Sequence, residues 1–116
     1  MRGVVLRASG RRFNAKSYLA TSTFTAEKVT AHAFEVELGR SAPDDHEGLT
    51  RDLERFVTAK QLNLSRLMAF PGVERVVLVV YAKPRVADGL VFGLTPHLAA
   101  ELARHSLRLE VCLDSV

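Results

Sequence analysis

Val73 to Ala82, VERVVLVVYA, is the stretch on which the fold turns. Val76, Val77, Leu78, Val79 and Val80 run without a polar break. Side chains branched at Cβ are stiff in a helix and pack well on a pleated sheet. Pro71-Gly72 stops whatever precedes the run, and Pro84 closes it. At this length it cannot span a bilayer, which takes about 20 apolar residues. The reading is a central strand buried on both faces, and such a strand lies inside a sheet. If helices cover only one side of it, the other side is an apolar stripe open to a partner.

Working outward, Leu90 to Leu94 reads as a short strand beyond the polar loop Lys83 to Asp88. Thr95-Pro96 then starts a helix: Thr caps, and proline fits a first turn whose N–H is not needed. That helix reaches about His105, with Leu98, Ala99 and Leu102 inward. Leu107, Leu109, Val111 and Leu113 alternate with Arg108, Glu110 and Cys112, as a half-buried strand does.

On the other side, Asp44 and Glu47 have the spacing of a capping box. Behind them Leu49, Leu53, Phe56 and Val57 form one apolar stripe, so a helix is expected from about His46 to Gln61. A second short helix, with Leu64, Leu67 and Met68 inward, leads to Pro71. Ala31 to Leu38 alternates, with His32, Phe34, Val36 and Leu38 on one face and Glu35 and Glu37 on the other. Thr21 to Thr30 reads as connection. The opening Gly3 to Gly10 is a half-buried strand, followed by a Ser9-Gly10-Arg11-Arg12 turn. A short helix from Ala15 follows, with Asn14 as its cap and Phe13 and Tyr18 at staple positions.

These elements predict a single α+β domain over residues 1–116. The expected architecture is a two-layer α/β sandwich, with a sheet of about four strands and helices mainly on one face. Two β-α-β halves are joined by the longer helix.

A chain of 116 residues can bury a core without metal or disulfides. Its hydrophobic fraction of 47% and charged fraction of 25% are ordinary for a globular domain. Cys112 stands alone, so no intrachain disulfide or cysteine zinc cluster is available. Met1-Arg2-Gly3 opens no signal-peptide apolar core, and no segment is long enough for a membrane span. The expectation is a cytoplasmic protein with no membrane partner. The net charge is +3 and the sixteen Lys and Arg are spread along the chain. Arg7, Arg11, Arg12 and Lys16 are the one tight basic cluster.

The ordering of several stretches resembles a bacterial family of small proteins defined as a domain of unknown function, numbered four-two-seven-nine. The resemblance rests on the strand ending in Ser9-Gly10, the helix start Phe13-Asn14-Ala15 and the apolar strand ending in Tyr81. It continues through Gly89-Leu90-Val91-Phe92-Gly93-Leu94-Thr95-Pro96, a helix, and Leu107 to Leu113. Where that family carries a glycine- or tryptophan-rich stretch before its second strand, this chain has Glu27-Lys28-Val29-Thr30. The resemblance implies a non-catalytic binding protein, with immunity proteins against toxins among the family's suspected roles. It supplies no catalytic residue to carry over.

Read residue by residue, the chain offers little chemistry. His32, His46, His97 and His105 show no helical zinc spacing, and no metal or cofactor is expected. Cys112 lacks a partner base and reads as a small half-buried side chain. Glu35 and Glu37 point to one strand face, where solvated or cross-strand-paired charges are the ordinary outcome. Aromatics for stacking RNA are missing from the opening strand and reduce to Tyr81 in the central one.

The first expectation is therefore a binding protein acting through an open sheet face of Val5, Arg7, Glu35, Glu37, Arg108 and Glu110. Its partner would be another protein, as in immunity-type inhibition, or a second copy of itself in a homodimer. The alternative is a nucleic acid or other anion held by Arg7, Arg11, Arg12 and Lys16. A small enzyme would need Glu35 or His32 in a deep pocket.

Overall fold

The computed structural model describes residues 3–87 and 89–113. Met1-Arg2, where a leader would begin, and Asp88, the expected end of the polar loop, lie outside them. Five strands form one mixed sheet: β1 (Val4–Ser9), β2 (Lys28–Val29), β3 (Ala33–Glu37), β4 (Arg75–Ala82) and β5 (Arg108–Leu113). Their order is β2-β3-β1-β4-β5. β1 runs antiparallel to both β3 and β4, and β4 runs parallel to β5. The helices are α1 (Ala15–Ala20), α2 (His46–Ala59), α3 (Gln61–Ala69) and α4 (Pro96–Arg104). The α+β class and the two-layer arrangement match the sequence reading, with one strand more than expected.

Alternation puts the two faces of the sheet to different uses. Val4, Leu6, Ala8, Phe34, Val36, Val76, Leu78, Val80 and Ala82 join the helical residues in one core. The helices contribute Tyr18, Leu49, Leu53, Val57, Leu64, Leu67 and Leu98, each at most 1% exposed. Val5, Val77 and Val79 lie on the opposite face and belong to no such cluster. Among the described residues, helices therefore cover one side alone. The shortest dimension of the molecule, 21 Å, has room for a sheet and one helical layer.

An aromatic group closes the core at the β1–α1 end. Asn14 caps α1 by accepting from the Ser17 N–H, and Phe13 and Tyr18 meet at 6.5 Å in the staple. Tyr18 stacks on Phe34 at 5.6 Å and meets Phe70 edge-on at 5.4 Å. Its hydroxyl donates to the Asn63 carbonyl at 2.9 Å. Burial pushes the Tyr18 phenol up to about 12, against a pull downward from Arg66.

Several boundaries differ from the sequence reading, each for a local reason. Val73 to Ala82 begins pairing at Arg75 and is interior, but β1 is the middle strand. Val4, Val5 and Leu6 are fully buried, so β1 is covered on both faces and not half-buried. β2 escaped the alternation rule because it is two exposed residues long. Leu90 to Leu94 forms no strand; an isolated bridge between Arg85 and Gly89 closes the loop, with Gly89 at φ +65. The α2 cap is Asp45, accepting from the Gly48 N–H, one residue beyond the expected Asp44 box. Lys60 separates α2 from α3 earlier than expected. Met68 and Ala99 face solvent, because Leu64, Leu67, Leu98 and Leu102 already fill the space beneath their helices. The two β-α-β halves also differ in kind. The first returns antiparallel beside β1; the second crosses over through α4 to a parallel neighbour.

Candidate functional site

The helix-free face is built by register. One row across four strands reads Glu37, Val5, Val79, Glu110, and the next reads Glu35, Arg7, Val77, Arg108. All six residues chosen from the sequence for the open face thus share it, two strand positions apart. Arg75, Tyr81, Val77 and Val79 join them from β4 by the same parity. The sequence reading used that strand for its apolar run and overlooked its odd-numbered positions, whose alternation was the available signal.

The apolar stripe expected along the central strand, inside its charged rim, is scarcely accessible. Val5 and Val79 are fully buried and Val77 is 3% exposed. Arg7 Nε donates to Glu35 Oε1 at 2.6 Å, and its Nη2 donates to the Tyr81 hydroxyl. Lys28 Nζ approaches the other Glu35 oxygen at 4.0 Å. Burial works against the Arg7 charge, but the Glu35 hydrogen bond and the Tyr81 contact outweigh it and raise the affinity of Arg7 for its proton. On the far side Glu110 Oε2 accepts from Arg75 at 2.7 Å and forms an ion pair with the Arg108 guanidinium at 3.1 Å. Between these two groups lies a hollow of about 270 Å³. Val77 and Val79 lie at its floor, and Arg7, Ser9, Arg75 and Glu110 line it.

The basic cluster of the sequence does not stay together. Arg7 is on the sheet face and engaged there. The Arg11 backbone N–H donates to Glu74, whose carboxylate also lies 3.9 Å from the Arg11 guanidinium. Arg12 lines one groove with Lys16 and His32 and a second with Arg11 and Glu74. His32 was expected on the apolar face of its strand; β3 starts one residue later, and His32 is exposed beyond the sheet's end. Glu35 lies on the open sheet face, where it accepts from Arg7, and His32 lines the groove beside Arg12 and Lys16.

The remaining histidines lie apart from both surfaces. His46 Nε2–H donates to the Lys83 carbonyl at 2.8 Å, and its Nδ1 accepts from the Val91 N–H at 3.2 Å. It thereby fastens the 83–95 loop to α2. His97 lies 3.4 Å from the Thr58 hydroxyl. His105 is buried at the end of α4 with Glu101 at 3.8 Å. Cys112 sits opposite Tyr81, half-buried on the open face. Among the described residues no three His, Cys, Asp or Glu side chains gather where they could hold a metal ion. Among them, too, no helix is long and apolar enough to cross a membrane.

No protein-family model, curated protein or solved structure matches the chain.

Proposed function

We propose that this is a non-catalytic binding protein that docks a protein partner on its open sheet face. Inhibition of an enzyme in the manner of an immunity protein is one form of that role. The observation that carries the reading is the two-row lattice of charged residues and valines on a face that no helix of the described residues covers, with the hollow lined by Val77 and Val79 at its centre. A side chain from the partner entering the hollow would meet an apolar floor between Arg7 and Arg75. The surrounding charges, Lys28, Arg75 and Arg108 against Glu37 and Glu110, would set orientation and speed the encounter more than they add affinity. A net positive chain is poorly suited to imitate nucleic acid, so a target with a neutral or acidic surface fits better than a nuclease.

The test is affinity capture of the partner from the native host, repeated with Arg75→Glu and Glu37→Arg. Both side chains are solvent-accessible, so the variants should fold. The expected result is loss of the partner with either variant and retention with Arg12→Ala, which leaves the face intact. Retention with both face variants would show that docking takes place elsewhere. Sedimentation of the purified chain separates self-association on this face from binding of a different protein.

A further inference from the structure

A second surface is chemically unlike the open face. Where β1 passes into α1, residues 10–15 lie against residues 29–32, which lead from β2 into β3. Three hydrogen bonds join the segments. Gly10 N–H donates to the His32 carbonyl at 3.1 Å, and Ala15 N–H donates to the Ala31 carbonyl at 3.3 Å. The His32 ring donates from Nδ1 to the Phe13 carbonyl at 3.0 Å. The groove between the segments measures about 650 Å³, a size suited to a small organic molecule. Its lining is Arg12, Phe13, Asn14, Lys16 and residues 29–32, with no acid among them. Among the described residues neither Arg12 nor Lys16 pairs with a carboxylate.

We propose that this groove binds the dianionic phosphoryl group of a small molecule, for which the sulfate dianion is a simple stand-in. Arg12 supplies a planar fork of donors and Lys16 a mobile point charge, the two cation types that recognise such groups. His32 supplies the third contact. A carbonyl can only accept, so the bond to Phe13 commits Nδ1–H and leaves Nε2 for the groove. Neutral, Nε2 presents a lone pair to the anion; protonated, it presents a donor. Binding is therefore coupled to proton uptake at His32, and the anion is held more tightly on the acid side. The charged groups facing His32 across the groove are Arg12 and Lys16. Both would be partly neutralised by the bound dianion, which favours the extra proton.

The same geometry disfavours a nucleic-acid backbone. A duplex is followed by an extended row of cations, each releasing counterions. Here Arg7 is bound on the sheet face, so the four basic residues of the sequence do not form a row.

The experiment is a titration of the full-length isotope-labelled chain with sulfate, followed by amide NMR. Sulfate keeps its charge across about pH 5 to about pH 8, the range in which histidine titrates, so any pH trend belongs to the protein. Ionic strength is held constant, because screening would otherwise imitate weaker binding. Saturable shifts are expected at Arg12, Asn14, Lys16 and His32, with tighter binding at the acid end. Arg12→Ala and Lys16→Ala should each weaken binding about tenfold, equivalent to about 1.4 kcal/mol. His32→Gln should abolish the pH trend. Phenyl phosphate, which adds an organic group to the anion, should bind at least as tightly as sulfate. Shifts that never saturate would overturn the proposal, as would affinities indifferent to Arg12 and Lys16. So would tighter binding of a DNA or RNA duplex, with shifts spreading to Arg11. None of these results bears on the open sheet face, which lies on another surface.

Discussion

Tyr18 shows how one residue can carry both structure and a measurable signature. It is 1% exposed, ringed by Phe13, Phe24, Phe34 and Phe70, and its hydroxyl has one protein acceptor, the Asn63 carbonyl. An anion there would be desolvated, hence the phenol pushed up to about 12 from an unfolded value near 10. The folded state holds this proton more firmly than the unfolded chain does. The associated stability is complete below pH 10 and is lost as pH rises from there toward 12. Thermal melts followed upward from about pH 9 should fall progressively. Tyr18→Phe should start about 1 kcal/mol less stable, having lost the hydrogen bond, yet decline less with alkali. An equal alkaline decline in both proteins would place its cause elsewhere. The staple spacing of Phe13 and Tyr18 was legible in the sequence, whereas the stack on Phe34 was not. That contact joins residues 16 apart and exists only because β3 lies beside β1.

At the scale of elements, two turns that read as independent punctuation prove to be one joint. A Cβ on Gly10 would stand 1.9 Å from the Gly72 carbonyl oxygen. Gly72 has φ +86, and a Cβ there would stand 2.4 Å from the Arg12 carbonyl oxygen. The Ser9-Gly10 and Pro71-Gly72 turns thus touch backbone to backbone, and the Glu74 N–H donates to the Ser9 carbonyl at 2.9 Å beside them. Backbone cannot rotate aside as a side chain can. Gly10→Ala should therefore cost about 3 kcal/mol or more, lowering Tm by at least about 10 °C. Gly93→Ala, with nothing within 4 Å of its added carbon, should stay within about 0.5 kcal/mol of the parent. Calorimetry of the two variants checks this, and a mild Gly10→Ala would mean the joint is loose. Sequence marks both turns through proline and glycine, but local signals carry no information about which turns meet. For the same reason strand order was out of reach: β1 and β3 each alternate, and alternation alone does not say which strand is flanked on both sides.

For the whole molecule, the order β2-β3-β1-β4-β5 sets a gradient of protection. β1 is bonded on both sides and buried on both faces, while β5 has one neighbour and ends in Val111 and Leu113, 43% and 65% exposed. Amides that open only by global unfolding should concentrate in β1 and β4, and outward-facing β5 amides should exchange through cheaper local openings. Native-state hydrogen exchange checks this. A β5 amide not bonded to β4 that exchanges as slowly as Leu6 would indicate that something pairs with the β5 edge in solution. The open face was legible as a set of residues because parity along each strand assigns them. The polar network on it was not legible, because Arg7 meets Glu35 and Tyr81 only once three strands are aligned.

The lone thiol turns this layout into an instrument. Cys112 lies opposite Tyr81, toward the end of the lattice where β1 begins, whereas the cationic groove lies past the end where β1 finishes. At the rise of an extended strand those places are separated by about 20 Å. A dye coupled to the single sulfur would register an arriving macromolecule through its own fluorescence and stay largely indifferent to a sulfate ion. One labelled preparation could thus tell the two binding events apart.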